Sequence, residues 1–133
     1  MIDFETLTPP QRPNWWLLAP PGLCKAATPK MQTPVFAGSP EDIREALLAA
    51  IGRELRTTLV AQDEASGRFA FTAKTRLMGF VDDVDVRILS QGPQRTTFAL
   101  YSRSRVGYSD LGVNAARGLR ILNGVAARAQ RVD

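Results

Sequence analysis

Between Thr57 and Val106 the chain repeats one pattern four times, a short run in which apolar and polar side chains alternate and then a turn. The runs are "TTLVAQ" (57–62), "RFAFTAKTRLMGF" (68–80), "VDDVDVRIL" (81–89) and "QRTTFALYSRSRV" (94–106), divided by "DEASG", Gly79 and "SQGP". Alternation with a period of two is the mark of a strand whose two faces differ. Connections this short allow hairpins but not the long crossovers that parallel pairing needs, so the four strands are antiparallel.

The alternation also sorts the side chains. Phe69, Phe71, Ala73, Thr75 and Leu77 share one face of the second run, with Ala70, Thr72, Lys74 and Arg76 on the other. Val84, Val86 and Ile88 oppose Asp83, Asp85 and Arg87, while Phe98 and Leu100 oppose Tyr101, Arg103 and Arg105. Each strand therefore offers one apolar face and one charged face, and the apolar face needs a cover.

Two helical patterns supply it. "SPEDIREALLAAIGREL" sets Ser39 as the N-cap, Pro40 at the first helical position and Glu41 and Asp42 in the first turn, where free backbone N–H groups favour acceptors. Ile43, Leu47, Ala50, Ile51 and Leu55 form its apolar stripe. "SDLGVNAARGLRILNGVAARAQRV" carries Ala115, Leu119, Leu122, Val125, Ala126 and Ala129 on a second stripe, with Ser109, Asp110 and Asn114 as candidate caps. Gly118 and Gly124 each cost about 1 kcal/mol of helix propensity against alanine, unless they mark close packing. With an edge strand near Pro34–Ala37, the order is β-α-β-β-β-β-α. This is an α+β two-layer domain: an antiparallel sheet of about five strands with both helices on one face, by analogy TATA-binding-protein-like or helix-grip-like.

Seven of the nine prolines fall in the first 38 residues. Residues 1–38 are expected to be an extended segment packed on a single body formed by residues 39–133. Trp15, Trp16, Leu17 and Leu18 are too apolar for water, so the segment reads as a lid, the rival use being an exposed aromatic anchor for a membrane or another protein.

Composition removes several chemistries. The chain has no histidine, which excludes Ser-His-Asp and Cys-His catalysis, an imidazole proton shuttle and ordinary zinc clusters. Its single cysteine, Cys24, has no disulfide partner within the chain. No apolar run reaches the roughly twenty residues of a membrane span, and two acids precede the first arginine, the reverse of a secretory leader, so a cytoplasmic address is expected. The net charge of +4 is wholly C-terminal: Arg103, Arg105, Arg117, Arg120, Arg128 and Arg131 face only Asp110 and Asp133, and the remainder balances. That field attracts anions but is too small for a dedicated nucleic-acid binder.

Two stretches carry the chemistry that remains. In "GFVDDVDV" the three acids do not share a face: Asp83 and Asp85 point one way, while Asp82 points the other or sits at a bulge after Gly79. Cations on neighbouring strands suit Asp83 and Asp85 better than a divalent metal does, so neither metal nor cofactor is expected. In "YSRSRVGYSDLGVN", Arg103 and Arg105 with Lys74 and Arg76 outnumber the outward acids. The surplus suggests an anion-accepting surface at the junction of the last strand and last helix, built from Arg103, Arg105, Arg76, Lys74, Ser102, Ser104 and Tyr108.

These two stretches, with "PN" in "RPNWW", resemble the bacterial and plastid family catalogued as domain of unknown function 1499, over roughly Pro13–Val125. The resemblance implies no activity. Its positions here are Asp82, Asp83, Ser102, Arg103, Ser104, Arg105, Gly107, Tyr108, Asp110, Gly112 and Asn114. Many relatives read "PNCVSS" where this chain has "PNWWLL", carry an arginine-rich stretch where it has "AARG", and bear an exported or membrane-anchoring leader. The leading reading is a non-catalytic binding or scaffold domain with an anionic ligand or a protein as partner. Its rivals are an enzyme using Asp82 or Asp83 as base with Arg103 or Arg105 stabilising an anion, and docking through Trp15–Trp16.

Overall fold

The computed structural model describes residues 1–75 and 79–133; Arg76 and Leu77, assigned above to opposite strand faces, lie outside them. The described elements run β1 (Trp15–Ala19), β2 (Met31–Gln32), β3 (Phe36–Ala37), α1 (Pro40–Gly52), β4 (Thr57–Asp63), β5 (Arg68–Lys74), β6 (Val81–Ser90), β7 (Arg95–Ser104) and α2 (Val113–Ala126). The fold is α+β, an open seven-stranded sheet with two helices. The path across the sheet is β2-β1-β7-β6-β5-β4, and β3 pairs with β7. β6 occupies one edge of β7 along its length, so β1 and β3 lie end to end on the other. Among the described residues, only the β1–β2 pairing is parallel.

Alternation decides which side chains meet the helices. Phe69, Phe71, Val84, Val86, Ile88, Phe98 and Leu100 join Ile43, Leu47 and Ile51 of α1 and Ile121, Leu122 and Val125 of α2 in one core. Each such side chain contributes about 1.5–3 kcal/mol by leaving water. α1 starts at a capping box: Ser39 Oγ accepts from Asp42 N at 3.1 Å, and Asp42 Oδ2 accepts from Ser39 N at 3.0 Å. It stops at Gly52, so Leu55 lies past the helix, 75% exposed rather than on the stripe.

α2 is turned relative to its expected stripe. Asn114, Arg117, Gly118, Ile121, Leu122 and Val125 are buried, while Leu119 faces out. The cause is the two glycines. A Cβ on Gly118 would lie 2.3 Å from Cε3 and Cζ3 of Trp16, and one on Gly124 would lie 2.7 Å from Ala50 Cβ. Gly118 brings the helix onto β1, and Gly124 brings it onto α1.

The sheet exceeds the expected five strands because the N-terminal segment enters it. Trp15–Ala19 is a strand paired with β7, not a lid laid on a finished body. Trp16 and Leu18 belong to the helix-side core. Leu17 and Ala19 lie on the other face under Phe4, with Ala99 and Tyr101 of β7. A strand covered on both faces carries a continuous apolar run, which explains why "WWLLA" does not alternate. Ile2, Leu7, Leu23, Cys24 and Ala27 complete this second cluster, so the outer sheet face over β1 and β7 is covered by the chain's own start. Among the described residues, no helix is long and apolar enough to cross a membrane.

Candidate functional site

On the outer face, register sets Asp83 opposite Arg103 and Asp85 opposite Tyr101. The ion pairs run diagonally across this ladder. Arg103 Nη1 lies 2.7 Å from Asp85 Oδ2, and Arg105 makes a bidentate contact with Asp83, Nε–Oδ2 at 2.8 Å and Nη2–Oδ1 at 2.9 Å. The Arg105 hydrogen bonds, aided by its charge and that of Arg103, hold the Asp83 carboxyl below the usual carboxylate range against the opposing effect of burial. Asp85 is nearly closed off and also accepts from Ile2 N at 3.1 Å. Arg103 sits over the Tyr101 ring, 4.9 Å from its centroid, and burial raises the Tyr101 hydroxyl pKa although that cation opposes it.

The opposite face of the same strands carries a buried polar network. Arg117 Nη1 donates to Asn114 Oδ1 at 2.9 Å and to Ser102 Oγ at 3.1 Å, and Ser102 Oγ donates to Asn114 Oδ1 at 2.6 Å. Arg117 Nη2 lies 2.9 Å from Asp82 Oδ2. This contact is an ion pair without hydrogen-bond geometry, and neither Asp82 oxygen accepts a hydrogen bond from a described residue. Asn114 Nδ2 faces Asp110 Oδ2 at 2.7 Å, Ser104 Oγ at 3.0 Å and the Asn14 carbonyl at 3.1 Å. Asn14 Nδ2 donates to the Gly107 carbonyl at 2.8 Å. Asp110, expected as a cap, accepts from Asn114 N and Gly112 N although the helix begins only at Val113.

Two cavities adjoin this network. One, of about 570 Å³, is lined by Arg53, Arg56, Lys74, Arg117 and Arg120 with a single acid, Glu54. Glu54 is taken by Arg120, whose Nη2 lies 2.7 Å from Oε1, and Arg117 by Asp82. Among the described residues, Arg53, Arg56 and Lys74 have no carboxylate partner. The second cavity, of about 380 Å³, has apolar walls from Phe80, Val106, Leu111 and Val113 around Asp82 and Ser104. Thr75 and Val113 line both.

A family model described as protein of unknown function (DUF1499) matches residues 8–124. The chain belongs to this family. Among curated proteins, none matches it. The DUF1499 positions read from the sequence divide between the two faces. Asp83, Arg103 and Arg105 form the outer ladder. Asp82, Ser102, Ser104, Asp110 and Asn114 converge on the inner network, joined there by Asn14 of the "PN" pair and by the Gly107 carbonyl. Ser102 is fully buried, Tyr108 is 71% exposed, and Lys74 lines the basic cavity. Arg76 lies outside the described residues.

Arg117 is the network member the sequence reading lacks. Its signal is an arginine one turn after Asn114 and beside Gly118, on the face that buries Ile121 and Val125. Arg53 and Arg56 carry no local signal, because a helix end and a turn bring them beside α2.

Proposed function

We propose that this DUF1499 protein is a binding domain that accepts an anionic group in the cavity lined by Arg53, Arg56 and Lys74. The observation that carries the reading is three cations around one concavity that have no carboxylate partner among the described residues. Converging guanidinium and ammonium donors fit a phosphate or carboxylate. The reading keeps the anion-accepting surface inferred from the sequence, including Lys74, but centres it beside the first turns of α2. Arg103 and Arg105 join such a surface only by releasing Asp85 and Asp83, and Ser102 only by leaving Asn114. Docking through the tryptophans has little to present, with Trp16 under Gly118 and Trp15 Nε1 donating to the Pro10 carbonyl. Asp82 as a catalytic base is disfavoured by its 1% exposure and its contact with Arg117.

Titration with inorganic phosphate at low ionic strength, followed by amide NMR shifts, tests the reading. Shifts are expected at residues 53–56, 74 and 116–120, abolished in Arg53→Ala/Arg56→Ala/Lys74→Ala and retained in Arg105→Ala. Equal shifts in the triple variant and the unaltered protein would refute it.

A further inference from the structure

We infer that the ligand is a single-chain anionic amphiphile, its charged end in the basic cavity and its alkyl chain in the apolar one; the inference rests on the anion reading above. The two concavities are neighbours, sharing Thr75 and Val113. At about 380 Å³ the apolar one falls within the size range of small-molecule pockets. Its apolar walls are open to solvent: Phe80 is 45% exposed, Val106 50% and Leu111 92%.

The backbone holds Leu111 in that position at a cost. Its φ of 53° lies in the left-handed region, which penalises a residue with a branched side chain by roughly 1–2 kcal/mol. The conformation is pinned on both sides: Leu111 N donates to Ser109 Oγ at 3.2 Å, and Gly112 N donates to Asp110 Oδ1 at 2.9 Å. Asp110 is fixed in turn by Asn114. A strained, pinned turn that presents a leucine to water beside a cavity is accounted for by an apolar ligand that covers it.

The Asp82–Arg117 pair sets the direction in which such a molecule lies. Arg117 lines the basic cavity and Asp82 the apolar one. An anionic head in the apolar cavity would meet the Asp82 carboxylate, whereas in the basic cavity it meets Arg53, Arg56 and Lys74. Like-charge repulsion at one end and attraction at the other leave one orientation.

The test uses the full chain and a series of n-alkyl phosphates from butyl to octyl below their aggregation concentrations, with inorganic phosphate and neutral octanol as references. Each added methylene should tighten binding about fourfold until the cavity is filled. Leu111→Asn, which keeps a residue tolerant of the left-handed backbone, and Phe80→Ser should flatten that increment and leave inorganic phosphate binding unchanged. Arg53→Ala/Arg56→Ala should weaken every phosphate in the series by one common factor. Equal affinity for inorganic and octyl phosphate would overturn the amphiphile inference while leaving the anion reading standing. Equal affinity for octanol and octyl phosphate would overturn both. Binding to phosphatidylglycerol vesicles with no binding of the monomeric alkyl phosphates would also overturn the inference, because it would place the contact at a bilayer surface.

Discussion

Removing either partner of the Asp82–Arg117 pair should destabilise the protein strongly, and removing both should cost little more than removing one. The side chains are 1% and 5% exposed, so water cannot solvate a charge left alone there. Breaking a buried pair from one side costs about 3–5 kcal/mol. Arg117→Met isolates that effect, because Ser102 Oγ still donates to Asn114 Oδ1 after the guanidinium is gone, leaving Asp82 as the uncompensated group. In Asp82→Ala, Arg117 keeps its bonds to Ser102 and Asn114 but loses its counter-charge. The double variant removes both charges, so the expected coupling energy is about 3 kcal/mol, well above the error of additivity. Urea unfolding followed by the fluorescence of buried Trp16 gives the three free energies, and each single variant should also lower the melting temperature by roughly 10–20 °C. Single-variant losses below about 1 kcal/mol, or losses that add in the double variant, would show that the pair is not the closed-off contact described here.

Two further outcomes follow from named contacts. Gly118→Ala gains about 1 kcal/mol of helix propensity but drives its methyl group to 2.3 Å from the Trp16 ring, an overpacking that costs about 1–3 kcal/mol or more; a net loss in urea midpoint with altered Trp16 fluorescence is expected, and a gain would contradict the packing of α2 on β1. The Asp83 carboxyl titrates lower folded than unfolded, so its stabilisation is present above the unfolded carboxylate range and is lost as pH falls through the folded value. Asp83→Asn should therefore be slightly less stable than the unaltered protein at neutral pH, the difference kept small by the exposure of Arg105, and the gap should close in acid. A gap that is constant from pH 6 to pH 2 would rule that coupling out.

The parts of the fold that could be read from the sequence are those in which one residue pattern has one structural meaning. Strands 57–104 alternate, and Ser39, Pro40 and Asp42 announce the start of α1 within a residue. The pairing of Asp83 and Asp85 with arginines of the neighbouring strand was also within reach, though not its diagonal register, which depends on how far each guanidinium extends. β1 was not within reach as a sheet strand, because a run buried on both faces does not alternate and prolines stand on either side of it. The buried face of α2 was misplaced for a related reason. Gly118 and Arg117 count as polar or breaking positions in a hydrophobic pattern, yet one makes room for Trp16 and the other completes a network. The cations of the basic cavity come from three separate places in the chain, and only the tertiary fold assembles them.

The division of the DUF1499 positions between two faces bears on what the motif does. A surface that binds anions directly would leave its arginines unpaired, but the motif's own arginines are matched to the motif's own acid and to Asp85. Its serines, Asp110 and Asn114 instead tie β7, the residue before β1 and the turn before α2 together through hydrogen bonds, and the Asp82–Arg117 ion pair adds β6. A buried polar network of this kind restricts the elements it joins to one arrangement. Here β6, β7 and the turn before α2 carry Asp82, Ser104, Asp110 and Leu111 into the wall of the apolar cavity, and α2 carries Arg117 into that of the basic one. In the site proposed above the motif is mainly the frame, and most of the ligand contact falls to residues outside it: Arg53, Arg56, Lys74, Phe80 and Leu111. On this view, a substitution within the frame lowers stability first and affinity only through displaced walls, whereas Arg53→Ala or Phe80→Ser changes affinity while the melting temperature stays put.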